Sequence, residues 1–278
     1  MRDTRTAVVT GAANGIGRAI ALDLARRGLA LVAIDRDEAR LASLRGQIEM
    51  AGGQARTFAI DLVSADARSH LQILFDQVPK VDVLINNAGI GLGVIRPNYH
   101  ADPIDFWEVD AEQWSTFLAV NVTPAFLLSR FYVPGMLQKG WGRVVTVTTS
   151  LGSMLRRGYV PYGPSKAALE ALSACIAKDV EGSGVTSNVV IPGGITNTAL
   201  VPEGAFDRAS LLQPDIMLAP LAFLLGEEAD AVNGRRFVAA HWAEDHARGA
   251  GEGVWGQPIG WEAVAALPIG PAGGAHAI

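Results

Sequence analysis

The stretch Thr6-Ala-Val-Val-Thr-Gly-Ala-Ala-Asn-Gly-Ile-Gly17 carries the reading of the fold. A short apolar run stops at Gly11, and glycines recur at 15 and 17, where an amphipathic sequence begins. Glycine adopts backbone angles that a Cβ forbids, so the chain can turn tightly from strand to helix and bring bare backbone close to a ligand. The helix N-terminus presents unpaired N–H groups and the positive end of its dipole, a favourable seat for phosphate. On its own the spacing also fits a plain strand-to-helix connection, so the surrounding sequence has to decide between the two.

Outward from this turn, short aliphatic or β-branched runs alternate with amphipathic stretches. Strands are expected over Thr6–Thr10, Ala30–Ile34, Ala55–Ile60, Val81–Ile85, Arg143–Thr149, Ser187–Ile191 and Arg236–Ala240. Helices are expected over Gly15–Arg27, Glu38–Met50, Ala65–Gln77, Ala111–Phe131, Tyr162–Val180 and Gln213–Leu225. Such alternation builds a parallel sheet covered by helices on both faces. The expected architecture is α/β: a doubly wound, seven-stranded parallel sheet in one domain over residues 1–240, followed by an extension over 241–278. The extension is rich in Gly, Ala and Pro, yet it holds three of the six tryptophans, Trp242, Trp255 and Trp261. That is more aromatic surface than a disordered tail usually carries.

The 278 residues, 49% hydrophobic and 18% charged, suit a globular protein with a sizeable core. With 23 basic and 28 acidic residues the net charge is −5, which disfavours nucleic acid as a main partner. Cys175 is the single cysteine, so a disulfide scaffold and a cysteine-rich zinc site are excluded and a reducing cytoplasm is the expected compartment. No uninterrupted apolar run approaches the length of a membrane span. His100, His241 and His246 lack ligand spacing, and no metal is expected.

The second strand ends at Asp35, about 20 residues after the turn, where a carboxylate can accept hydrogen bonds from ribose hydroxyls. It would repel a 2′-phosphate, so the pattern reads as a dinucleotide site that takes NAD rather than NADP, although Arg36 and Arg18 are close enough to accommodate a phosphate. Asp61-Leu62 closes the third strand and Asn86-Asn87-Ala88-Gly89 the fourth. Both lie at carboxyl ends of strands, where open α/β sheets bind ligands. Tyr162-Gly-Pro-Ser-Lys166 opens the long helix after strand five, with Tyr and Lys on one helical face. A cation fixed beside a phenol favours the phenolate and lowers its pKa. The preceding strand ends Thr146-Val-Thr-Thr-Ser150, which supplies hydroxyls next to that pair.

In this order and spacing the motifs resemble the short-chain dehydrogenase/reductase family over about residues 5 to 240, and the resemblance implies its Rossmann fold. By residue-by-residue match, Tyr162 is the catalytic acid/base, Lys166 its partner and holder of the nicotinamide ribose, and Asn121 the residue that organises a water relay to Lys166. Ser150 is assigned the hydroxyl that polarises the substrate oxygen, with Thr149, whose spacing to Tyr162 is nearer the family's, and Ser153 as alternatives. The resemblance places the cofactor on Gly11, Asn14, Gly15, Ile16, Gly17, Asp35, Arg36, Asp61, Leu62, Asn87, Ala88, Gly89, Tyr162, Lys166, Pro192, Gly193, Ile195 and Thr198. Thr196 competes with Thr198, because Asn197 stands where the family's pattern has threonine. The implied activity is NAD-dependent hydride transfer between the nicotinamide and a secondary alcohol or ketone of a small molecule. A nucleotide-sensing protein without redox chemistry is the alternative. A homodimer or homotetramer is expected, with the Ala111–Phe131 and Tyr162–Val180 helices pairing between subunits and the tryptophan-rich tail reaching over a neighbour.

Three segments bear on the substrate. Ile95–Ile104 lengthens the chain after strand four beyond the family's usual span, in the position of a specificity loop. Arg96, Arg156 and Arg157 are candidates for an acidic substrate group, or else surface and subunit-contact charges. The apolar segment Ala199–Leu212 fits a lid. Cys175 reads as a small buried hydrophobe.

Overall fold

The computed structural model describes residues 5–64 and 66–261. Its strands are β1 (Thr6–Thr10), β2 (Ala30–Asp35), β3 (Ala55–Ala59), β4 (Val83–Asn86), β5 (Gly142–Val147), β6 (Val185–Ile191), β7 (Arg235–Val238) and β8 (Gln257–Pro258). The helices are α1 (Gly15–Arg26), α2 (Glu38–Met50), α3 (Ala67–Gln77), α4 (Ala111–Asn121), α5 (Thr123–Lys139), α6 (Leu151–Met154), α7 (Tyr162–Asp179), α8 (Leu218–Leu224) and α9 (Trp242–Glu252). The sheet runs β3-β2-β1-β4-β5-β6-β7-β8. Its first seven strands are parallel.

Alternation within single strands shows why helices cover both faces. Ala7 and Val9 of β1 join one apolar cluster with Ile20 and Leu24 of α1, Leu41 of α2 and Phe237. Val8, between them, joins a second cluster with Leu71 of α3 and Leu128 and Tyr132 of α5. A strand buried on both faces needs apolar residues throughout, and this one reads Ala-Val-Val.

The structure departs from the sequence-based expectation in five places. An eighth strand, β8, pairs antiparallel with β7, so the sheet is mixed at that edge. The expected Ala111–Phe131 helix is two helices broken at Val122. Pro124, in the first turn of α5, has no N–H to continue the ladder from α4. By length and composition Ala111–Lys139 could cross a bilayer, but the fold buries Phe117, Leu128, Tyr132 and Met136 of this stretch in its own core. The expected Gln213–Leu225 helix opens as a tight turn over Pro214–Met217 before α8. Cys175 is exposed rather than buried, because Leu169, Ser173 and Ala177 set the inner face of α7 and Cys175 lies half a turn from it. Of the Ala65–Gln77 helix, Ala65 lies outside the described residues.

The extension is built into the fold as far as it is described. Trp242 and Trp255 pack with Phe223, Phe237 and His246 of the same chain. Gly249 is where the Trp255 ring lies flat on α9, since a Cβ there would come within 2.0 Å of the ring. Two of the three tryptophans expected in a tail over a neighbour thus pack on their own chain, and residues 262–278 lie outside the described part.

Candidate active site

Strand order reverses between β1 and β4, and α/β sheets open a crevice at the carboxyl ends of strands where this happens. A cleft of about 760 Å³ lies there. It is lined by Gly11 and Ala13 to Ile16 after β1, Asp35 and Arg36 after β2, Asn87 to Gly91 after β4, Thr148 to Ser150 after β5 and Pro192 to Thr196 after β6.

Local hydrogen bonds explain this convergence. The Thr10 hydroxyl accepts from the backbone N–H groups of Asn87 and Ala88, each at 3.0 Å, and Asn87 Nδ2 donates to the Thr10 carbonyl at 2.9 Å. These bonds stitch the end of β4 to the glycine turn. Inside the turn a Cβ on Gly17 would fall 2.1 Å from the Gly11 carbonyl oxygen, so no larger residue fits. Asn14 caps α1, its Oδ1 accepting from the Gly15 N–H at 2.9 Å. Asp35 accepts from the Ala13 N–H at 3.0 Å and the Asp37 N–H at 3.1 Å, which fixes its carboxylate at the cleft wall.

At the other end, α7 supplies Tyr162 and Lys166. Thr149, not Ser150, is the hydroxyl residue close enough to Tyr162 to act on its phenol. Ser150 lines the cleft but caps α6, its hydroxyl 2.9 Å from that of Ser153 and accepting from the Ser153 N–H at 3.2 Å. Burial pushes the Tyr162 phenol up to about 12, against a downward pull from Thr149. Burial also lowers Lys166 to about 8. The Lys166 ammonium lies 6.0 Å from the Tyr162 ring centroid and donates to the Val147 carbonyl at 3.1 Å. Desolvation is the largest influence on both groups.

Asn121 stands behind this pair, at the C-terminus of α4. Its Oδ1 accepts from the Ile90 N–H at 2.7 Å, and its Nδ2 donates to the Ser165 hydroxyl at 2.8 Å. Gly89 passes between Asn121 and Lys166, and a Cβ there would lie 3.2 Å from Asn121 Oδ1 and 3.4 Å from Lys166 Nζ.

Most of the expected site residues converge on the cleft, and a few do not. Ile195, Thr196 and Thr198 all line it, and Thr198 sits directly over Gly15, where a Cβ would be 2.9 Å from its methyl. Thr196 turns its hydroxyl back to the Gly194 carbonyl at 3.2 Å. Asp61 and Leu62 do not reach the lining: Asp61 Oδ1 accepts from the Val63 N–H at 3.1 Å, and Leu62 packs on an apolar cluster. Gly17, Arg18 and Asn121 also lie outside the lining.

Two residues under the site went unread in the sequence. Glu170 of α7 and Arg236 of β7 form a buried ion pair at 2.7 Å. Arg236 donates to the Thr149 carbonyl at 2.7 Å, and Glu170 accepts from the Thr148 hydroxyl at 2.9 Å. Spacing signals Glu170, which falls two turns after Tyr162 on the face that carries Lys166; nothing local signals Arg236.

The family model for short chain dehydrogenases matches residues 5–206. The 3-oxoacyl-[acyl-carrier-protein] reductase of Vibrio cholerae is 30% identical over 240 residues, covering 83% of this chain and 93% of that protein. A short chain dehydrogenase of Pseudocercospora fijiensis is 31% identical over 207 residues, 74% of this chain and 64% of the relative. Among solved structures, a proposed NAD(P)-dependent gluconate 5-dehydrogenase from Beutenbergia cavernae, with bound NADP, superposes with a TM-score of 0.74 at 31% identity over 86% of this chain and 97% of its own. A proposed short chain dehydrogenase of Shigella flexneri complexed with NADP gives 0.72 at 27% identity, over 85% and 97%. The matched segment takes in the glycine turn, the strand ends around the cleft and the Tyr162–Lys166 helix, and on these grounds the chain belongs to the short-chain dehydrogenase family.

Proposed function

We propose that the protein transfers a hydride between NAD(P) and a secondary alcohol or ketone of a small molecule, with Tyr162 as general acid/base. One arrangement carries this reading: Tyr162, with Thr149 and Lys166 beside it, lines the same cleft as the glycine turn and Asp35.

The residues fit a dinucleotide. Side chains are excluded from the turn, as the Gly17 contact shows, and the backbone there is free for a pyrophosphate. Gly11, Asn14, Gly15 and Ile16 would hold the pyrophosphate, Asp35 and Arg36 the adenosine ribose, Asn87 to Gly89 the floor, and Pro192, Gly193, Ile195 and Thr198 the nicotinamide end. When bound, the nicotinamide supplies or accepts the hydride and, in its oxidised form, adds positive charge beside the tyrosine. The Tyr162 hydroxyl gives its proton to the carbonyl oxygen in reduction and takes it back in oxidation. The Thr149 hydroxyl holds that oxygen, in the role first assigned to Ser150. Lys166 favours the phenolate, and Asn121 keeps the Gly89–Ile90 backbone against Lys166.

We favour NAD over NADP because the Asp35 carboxylate, held at the cleft wall, would repel a 2′-phosphate. NADP is the commoner nucleotide among the similar structures, so the preference rests on Asp35. The intact Tyr162–Lys166 pair weighs against a nucleotide sensor without redox chemistry. Trp114, Phe126 and Phe131 are exposed on α4 and α5, which suits subunit pairing in a homodimer or homotetramer, and the single cysteine suits the cytoplasm.

The test follows the absorbance of the reduced nicotinamide over a panel of ketones and alcohols with both nucleotides. Turnover that favours NAD, and shifts toward NADP in Asp35→Ser, is expected. Nucleotide binding with no turnover on any compound would contradict the reading.

A further inference from the structure

Three arginines lie around the reacting end of the cleft, and the structure separates them. Arg96 is committed to its own loop: it pairs with Glu108 at 3.0 Å and Asp102 at 3.4 Å, and donates to the Pro103 carbonyl at 3.1 Å. Arg157 pairs with Asp105 at 3.3 Å. Arg156 alone of the three lines the cleft. Its guanidinium stacks 5.0 Å from the Tyr159 ring centroid and donates to the Tyr159 hydroxyl at 3.3 Å. It has no carboxylate partner among the described residues, although Glu203 lines the same cleft.

The surroundings of Arg156 define what it can bind. The Tyr159 ring is 6.3 Å from Tyr162 on one side and 6.3 Å from Tyr99 on the other, so the cation stands one ring away from the reacting phenol. Its charge counteracts part of the upward push that burial gives the Tyr99 phenol. Leu92, Val94, Pro97, Leu200 and Val201 add apolar lining to the same cleft. The loop that carries Tyr99 meets the lid segment through His100 and Phe206, whose rings are 5.7 Å apart. A guanidinium stacked on an aromatic face keeps donors available for bidentate bonding to a carboxylate.

We propose that the substrate is a hydroxy acid or its oxo acid, whose carboxylate is bound by Arg156 beside Tyr159 while its hydroxyl or carbonyl lies at Tyr162. This rests on the oxidoreductase reading above. It separates Arg156 from Arg157, its neighbour in sequence, which serves the loop.

The test uses the full chain with NADH and with NADPH, on aliphatic oxo acids of increasing chain length, each against its methyl ester. Wild type is expected to prefer the acid in kcat/KM. In Arg156→Gln the acid-to-ester ratio is expected to fall about 10- to 100-fold, the worth of a charge-assisted hydrogen bond, mainly through KM, while in Arg157→Gln it stays at the wild-type value. Calorimetric titration of the same acids into Tyr162→Phe holding the reduced nucleotide gives a readout free of turnover, and there too Arg156→Gln is expected to weaken the acid selectively. Turnover of acids and esters alike, or a ratio that Arg156→Gln leaves unchanged, would overturn the proposal and leave the oxidoreductase reading standing. Absence of turnover on every acid and ester would count against both.

Discussion

At the scale of single residues, the hydroxyl that meets Tyr162 belongs to Thr149. Ser150 has its oxygen engaged at the N-cap of α6. Removal of a hydrogen-bond donor aimed at a developing oxyanion costs about 10²- to 10³-fold in kcat. Thr149→Ala is therefore expected to lose that much, whereas Ser150→Ala loses only a cap, worth about 1 kcal/mol of stability. Steady-state rates and thermal melts of the two variants check this, and the reverse pattern would restore Ser150. The two hydroxyls are adjacent in the chain, and residue type alone favoured serine. Spacing to Tyr162 already leaned toward Thr149, and the path of the backbone after β5 agrees with it.

Lys166 sets the pH dependence. Burial holds it at about 8, so it carries its proton below that value and loses it above. Tyr162, pushed up to about 12, stays protonated across the same range. In the reducing direction kcat/KM, which reports groups of the free enzyme, is expected to run level at lower pH and fall as pH rises through about 8. Lys166→Arg keeps its charge and should lose that limb. A limb that persists unchanged in the arginine variant would assign it to another group.

At the scale of elements, the long strongly patterned segments were legible and their junctions were not. β1, α2 and the start of α7 fall where periodicity and glycine placed them. The break at Val122 depends on how α4 and α5 pack around it. α9 escaped notice because its glycines read as loop, whereas Gly249 is there to admit the Trp255 ring. Gly11, Gly15 and Asp35, which line the cleft, sit in local motifs and were readable for that reason, whereas Asp61 and Leu62, read in the same way, do not reach it. The support beneath Thr149 was not readable, because Glu170 and Arg236 are far apart in sequence and meet only in the fold. That pair also touches the extension, through the Gly260 N–H on Glu170 at 3.4 Å. Glu170→Gln leaves the buried Arg236 without its counter-charge, which is expected to cost about 3–5 kcal/mol. The melting temperature should drop by roughly 5–15 °C. A second change, Arg236→Met, should recover part of the loss; a Glu170→Gln melt at the wild-type temperature would show that the pair contributes little.

At the scale of the molecule, the reversal of strand order between β1 and β4 places one end of the cleft at Asp35 and the other at Tyr162. The sequence pointed to both ends through separate motifs; the sheet makes them one site. Tyr162 is the point on which the whole account turns. Tyr162→Phe keeps the ring and its packing and removes only the hydroxyl. Nucleotide affinity, followed by the fluorescence of the bound reduced cofactor, and the rate of substrate reduction should be measured on the same preparation. The account predicts binding close to wild type with turnover lowered about 10²- to 10⁴-fold; hydride transfer at the wild-type rate would contradict it.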